Sequence, residues 1–536
     1  MLAAVICGNY PLPLRVPAPM SQEIEIRFAA SERELKRIAR MSALEGFEVG
    51  RATTRRLCTV YYDTPELSLS KAGISLRVRK NGREYVQGVK DESSGALASE
   101  RHEVESEIVS GQPDLASVPD EALRARLQAL TATLAITPVI ETEIQRTTRS
   151  MKSPAGDAVE LAVDRGEIRT LMNGHARLAV SEIELELKGG APAALYEIAR
   201  RLSRRSPLTV NIESKSARGM RALEGEQICA HKAGRTQLPS DCTAEEAFRL
   251  TLLHCLRHLA RNAPAVAEAR LPEGVHQVRV GLRRLRAALS ASGGNFRVRE
   301  LESLDERASN LSDIFGSTRE LDVFATELLA PVEDSLKKPG LPQLRLLLEE
   351  LRRASWEQAV KLVQSDDFTG FLIDLAAAIE SRIWRESASA EQLAAFERPA
   401  RALASETQDK RLKQACKRAK HLSSLNVQER HRLRIALKKL RYSAEFFAPL
   451  FAAKPVSAFL ERLSKLQDLF GALNDAATVE TILRRITEHA GKRSSAELLE
   501  AAAFVDGWHQ SRVEPTWDKA KKRWKIFIKT EPFWRS

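Results

Sequence analysis

The sequence predicts a multidomain α+β chain: an antiparallel sheet with enough strands to close a barrel, then an all-α region built by duplication. Three observations predict it. Up to about residue 222 the apolar residues recur at every second position, the period of a strand. From about residue 243 onward they recur every 3.6 residues, the period of a helix. Within that second part, two blocks repeat at one fixed offset.

The chain of 536 residues is too long for one ordinary core. The boundaries read as a disordered leader (1–19, with Met20 as the working start), a sheet domain (20–222), a linker (223–240) and a helical domain (241–536). A net charge of +12 points to an anionic partner, and 5% aromatic content argues against single-stranded nucleic acid. The cysteines are dispersed, with no C-x-x-C and no histidine cluster beside them, which excludes zinc and disulfides and predicts a cytoplasmic protein. No apolar run approaches the ~18–20 residues of a membrane span.

The sheet elements follow in order as "QEIEIRFAA", "CTVYYDT", "ISLRVRK", "REYVQGVK", "SERHEVESEIV", "ETEIQRTTRSM", "AVELAVDRGEI" and "HARLAVSEIELELK". Two helical stretches interrupt them, "SERELKRIARMSAL" and "APAALYEIARRLSRR". About eight strands of this length suffice to close a barrel.

One face of these strands is charged. Glu23, Glu25 and Arg27 alternate with Ile24, Ile26 and Phe28, and Arg77 and Arg79 alternate with Leu76 and Val78. Arg101, Glu103 and Glu105 form a further row, as do Glu182, Glu184 and Glu186; Lys90, Arg146 and Asp164 lie in other strand-like runs. A wet sheet face normally mixes Thr, Ser, Gln and Lys. Rows dominated by one sign fit a barrel with a charged interior, one wall for polyanion oxygens and the other for a divalent cation. Arginine offers planar paired donors to phosphate, and magnesium or manganese takes hard carboxylate oxygens.

Residues 20–222 resemble a CYTH domain, the triphosphate tunnel metalloenzyme family. The E-x-E-x-K opening is matched by Glu23, Glu25 and Arg27, and "YYDTPELSLSKAGISLRVR", "SEIELELK" and "ESKSARG" match later blocks in order. The resemblance implies an eight-stranded tunnel that cleaves a linear triphosphate with Mg2+ or Mn2+. It assigns Arg27, Arg77, Arg79, Lys90, Arg146 and Lys215 to phosphate, with Arg101 as a further candidate. It assigns Glu23, Glu25, Glu182 and Glu184 to metal, assisted by Asp164, with Glu186 beyond the metals. Two positions depart from the family: Arg27 replaces the signature lysine, and Gly88 stands where a threonine is expected.

In the second part, "HQVRVGLRRLR" and "HRLRIALKKLR" align without gaps at an offset of 155, and His276 to Asp313 spans 37 positions, as does His431 to Asp468. At about 100° per residue, His276, Arg279, Arg283 and Arg286 form one stripe, and His431, Arg434, Lys438 and Arg441 another. Four like-signed groups on a stripe repel unless an anion lies near. Arg284, Lys439, Lys413 and Lys417 add charge. The histidines fit an anion contact that strengthens on protonation better than a metal site. Residues 241–536 resemble a CHAD domain, which implies two four-helix bundles and binding of inorganic polyphosphate.

The expected activity is metal-dependent hydrolysis of inorganic triphosphate, in the cytoplasm and at polyphosphate granules, with no specific nucleic acid and no membrane as partner. The rivals are a tunnel enzyme for thiamine triphosphate or a nucleotide, adenylate cyclase among them, and a non-catalytic polyphosphate-binding protein.

Overall fold

The computed structural model describes residues 22–82, 84–91, 99–132, 134–172, 176–291 and 294–535. The leader and the Met20 start lie outside the described residues, as do the side chains of Glu23 and Arg101.

Eight strands close on themselves: β1 (Gln22–Ala29), β2 (Thr53–Asp63), β3 (Ile74–Asn81), β4 (Glu84–Asp91), β5 (Ser99–Ile108), β6 (Thr137–Lys152), β7 (Ala158–Thr170) and β8 (Arg177–Gly189). Every pairing is antiparallel, in the order β1-β5-β4-β3-β2-β6-β7-β8, and β8 returns to β1. Two further strands of two residues, Glu48–Val49 and Thr209–Val210, extend β6 and β1.

Period-two patterning explains the closure. Ile26 and Phe28 of β1 and Ile183 and Leu185 of β8 are fully buried in one cluster with Leu195, Ile198 and Leu202. Those three lie on helix α1 (Pro192–Arg205), which covers the barrel's outside. Each such side chain contributes about 1.5–3 kcal/mol by leaving water. The alternate residues, charged, are thereby forced inside. Gly166 on β7 lets the strands close: a Cβ there would lie 1.9 Å from the Glu143 carbonyl oxygen on β6. Helix α2 (Lys215–Leu223) follows, with the Ser214 hydroxyl accepting from the Ala217 amide.

The helical part carries α3 (Ala244–Ala267), α4 (Pro272–Ala291), α5 (Arg299–Val323), α6 (Leu341–Val363) and α7 (Asp366–Glu380). It continues with α8 (Ala400–Arg418), α9 (Val427–Phe447), α10 (Ala453–Ala490), α11 (Ala496–Gln510) and α12 (Val513–Phe527). The starts 244/400, 272/427, 299/453 and 341/496 differ by 156, 155, 154 and 155, so the duplication governs four helices per repeat. A fifth, α7 or α12, completes each. Capping fixes several starts: the Thr243 hydroxyl accepts from Glu246, and Asn426 with Glu429 forms a reciprocal box.

The two parts share one hydrophobic cluster that runs from the barrel's outside into both repeats. At the junction Arg200 reaches Asp366 (2.5 Å) and Asp374 (3.2 Å), and the Thr369 hydroxyl donates to the Leu208 carbonyl (2.6 Å).

Candidate functional site

Inside the barrel, β1 supplies Glu25 and Arg27, both buried. Arg27 Nη2 donates to the Ile212 carbonyl at 3.1 Å, and Nη1 lies 3.7 Å from Glu25 Oε1. In the ring, Arg27 pairs in register with Glu184, and Asp164 with Glu182. Asp164, Glu182 and Glu184 bring carboxylate oxygens within 4.8 Å of one another. The Lys215 ammonium stands among them, 2.6 Å from Glu182, 2.7 Å from Glu184 and 2.8 Å from Asp164. Arg146 closes the group with paired bonds of 2.7 and 2.6 Å to Asp164 and a further bond to Glu184.

These neighbours split the carboxylates. Burial raises the pKa of Glu182, although Lys215 opposes it. Burial also acts on Glu184, but Arg146 and Lys215 outweigh it and hold the group well below the usual range. Arg146 and Lys215, despite burial, are held protonated by the same acids.

Across the barrel, Arg77 Nη2 reaches Glu103 at 2.5 Å and Glu105 at 3.1 Å, and Lys90 Nζ reaches Glu103 at 2.6 Å. Arg79 donates to the Thr59 hydroxyl at 3.3 Å. Gly88 backs onto this pair: a Cβ there would lie 2.9 Å from Arg77 Nε and 3.3 Å from Glu103. The missing threonine therefore makes room for the Arg77–Glu103 contact.

The interior departs from two walls of single sign. Arg146 and Lys215 sit on the carboxylate side, and Glu103 on the cation side. The reason is physical: a buried charge is costly unless it is paired, so the acids and bases of the interior pair with one another. Two residues have no role legible in the sequence: Glu103, one of a charged row, and Arg218, which holds Glu182 at 3.0 Å from one helical turn beyond Lys215. Glu23 and Arg101 occupy facing register positions on β1 and β5. Glu186 pairs with Lys188 at 2.5 Å and stands outside the three-carboxylate group.

The carboxylate group fits a hard divalent cation. All its donors are oxygens, and an ammonium already sits at the point where three of them converge. A metal bound there would free Lys215 for a phosphate oxygen, and the flexible lysine stem permits that movement.

In the helical part, α4 packs against α9, and the two stripes merge into one patch. Arg279, Arg283 and Arg434 all act on Lys438; with burial as the largest cause, they push its pKa down to about 6. The pseudo-equivalent acids Glu320 and Asp475 accompany Arg279 and Arg434. The Nε atoms of Arg283 and Arg434 are buried without a hydrogen-bond partner. His431 contacts Asn474 at 2.8 Å.

Several expectations change here. Burial and Arg319 push His276 down to about 4, so in the free protein it is neutral at ordinary pH rather than a ready cation. Arg284 is 4% exposed and bound to Glu445 at 2.6 Å with its guanidinium on the Phe446 ring, so it does not belong to the patch surface. Arg286 pairs with Asp305 (3.0 Å) and Arg441 with Glu445 (2.7 Å), and both side chains keep more than a third of their surface exposed. Lys439 faces Arg411 and Arg286 instead of Lys438. Lys413 and Lys417 are exposed on α8.

A family model described as the CYTH domain matches residues 21–220, and one described as the CHAD domain matches 251–484. Among solved structures, the CHAD domain from the plant Ricinus communis is 28% identical, with 55% of this chain and 96% of that one covered and a TM-score of 0.48. PptA from Streptomyces chartreusis is 14% identical, with 53% and 99% covered and a TM-score of 0.41. An adenylyl-cyclase-like protein from Hippeastrum, described as having a dominant triphosphatase activity, is 16% identical, with 38% and 97% covered and a TM-score of 0.25. Among the described residues, no helix is long and apolar enough to cross a membrane.

Proposed function

The chain is a CYTH domain followed by a CHAD domain, and we propose that it hydrolyses inorganic triphosphate in the barrel and holds inorganic polyphosphate on the merged helical patch. One observation carries the reading. In a closed barrel, Arg77, Arg79 and Lys90 face a converging carboxylate group of Asp164, Glu182 and Glu184. A linear triphosphate with a metal complements that pair of walls; an apolar ligand does not.

Glu25, Asp164, Glu182 and Glu184 would hold Mg2+ or Mn2+, with Glu23 next on the same strand face. When bound, the metal supplies charge neutralisation at phosphate oxygens and a water of lowered pKa. The residues of the chain do the rest. Arg77, Arg79 and Lys90 orient the phosphates by charge-assisted bonds. Arg146 stays cationic and fixes Asp164 and Glu184. Phosphoryl transfer needs mostly positioning and preorganised charge, which a rigid barrel supplies. Arg27 binds without exchanging a proton, since arginine stays charged.

The test is phosphate release measured side by side from triphosphate, ATP, thiamine triphosphate and long polyphosphate, with and without Mg2+ or Mn2+. Fastest release from triphosphate, dependent on metal, is the expected result. Faster release from an organic triphosphate reassigns the substrate, and release from none leaves the non-catalytic binder.

A further inference from the structure

Between the barrel and the helices lies a cavity of about 1970 Å3, bounded by the barrel end at Arg27 and Ser75, the loop of residues 226–239, α3 and the start of α10. Seven lysines and arginines line it against four glutamates. On α3, His254, Arg257, His258 and Arg261 recur at i, i+3, i+4 and i+7, so they share one face, and all four line this cavity. We propose that the cleft is a second anion site, which holds a stretch of linear condensed phosphate and leads it to the tunnel end at Arg27.

The strongest support is Arg284, which the basic stripe does not use. It lines the cleft while 4% exposed. Glu445 takes Nη1 at 2.6 Å, and Phe446 lies under the guanidinium at 4.8 Å. Nε and Nη2, the edge that matches two oxygens of one phosphate, are buried and make no hydrogen bond. Nε of Arg257 is likewise buried without a hydrogen-bond partner. A cleft with this many unsatisfied donors is built for an acceptor-rich ligand.

Size and lining narrow the ligand further. Small-molecule pockets run to about 300–1,000 Å3, so this cleft exceeds what a triphosphate fills and has room for a chain. Phe451 is the one Phe, Tyr or Trp side chain lining it among the described residues, which gives bases little to stack on and favours an inorganic chain over single-stranded nucleic acid. The inference extends the polyphosphate reading but stands on different residues from those of the merged patch.

Cys229 gives a local readout, because it lines the cleft and is exposed. Alkylation of Cys229 in the full chain would be followed by mass spectrometry, with Cys58 on the barrel as internal reference. Long-chain polyphosphate is expected to slow Cys229 labelling severalfold and leave Cys58 unchanged, whereas inorganic triphosphate leaves both unchanged. The protection is expected to persist when Arg279, Arg283, Arg434 and Lys438 are all replaced by Ala, so failure of the patch reading would leave it intact. It should vanish in Arg257→Ala/Arg261→Ala, return in Arg257→Lys/Arg261→Lys, and triphosphate hydrolysis should be unaffected in both. Unchanged Cys229 labelling, equal protection in Arg257→Ala/Arg261→Ala, or equal protection by single-stranded DNA would overturn the proposal.

Discussion

Lys438 makes polyphosphate binding depend on pH in a calculable way. In the free protein, burial and the guanidiniums of Arg283, Arg434 and Arg279 hold its pKa at about 6 against an ordinary 10.5. At pH 8 the amine is therefore neutral, and recharging it costs ~2.7 kcal/mol at 1.36 kcal/mol per unit. A bound polyanion stabilises the charged form, so binding takes up a proton. Between pH 7 and 9 the affinity should fall by up to about tenfold per pH unit. The stability of the free protein should move the opposite way. From about pH 6 to the unfolded value the unfolded lysine holds a proton that the folded one lacks, so stability rises with pH across that window. The assay is titration of labelled long-chain polyphosphate at fixed ionic strength across pH 7–9, beside the same titration of Lys438→Arg. Arginine stays charged, so the variant's slope should be nearly flat. Equal slopes in the two proteins would refute the reasoning, because some other group would then be titrating.

Glu182→Gln should abolish metal-dependent hydrolysis with the fold intact, since it removes an anionic oxygen without removing volume; circular dichroism and phosphate release check the two halves of that statement. Arg27→Lys restores the family's residue while keeping the charge, and equal or higher turnover is expected; a loss above about tenfold, ~1.4 kcal/mol of transition-state binding, would mean that the guanidinium is specifically required. Gly166→Ala should destabilise the barrel by about 1–3 kcal/mol or more, because the new Cβ meets the Glu143 carbonyl at 1.9 Å; an unchanged melting temperature would show that the strands are free to part.

The barrel was legible because its alternation has a period of two, and covering one face with Ile26, Phe28, Ile183 and Leu185 forces Glu25, Arg27, Glu182 and Glu184 inward. The pairing inside was not legible. Whether Glu103 meets Arg77 and Lys90 depends on the register of β5 on β4 on β3, which no single strand records. The two basic stripes were readable helix by helix, but their merger depends on α4 packing against α9. Arg284 shows the limit of the repeat. Its counterpart at offset 155 is Lys439, yet Arg284 faces the barrel side while Lys439 faces Arg411. Docking of the barrel breaks the symmetry that the duplication set up.

The most direct test of the central claim is the initial rate of phosphate release from inorganic triphosphate, in Mn2+ or Mg2+ and after chelation, for the unaltered chain and Glu182→Gln. The expected result is rapid release that chelation abolishes and that the variant lacks even at saturating metal. Release that survives chelation, or a variant with full turnover, would contradict it.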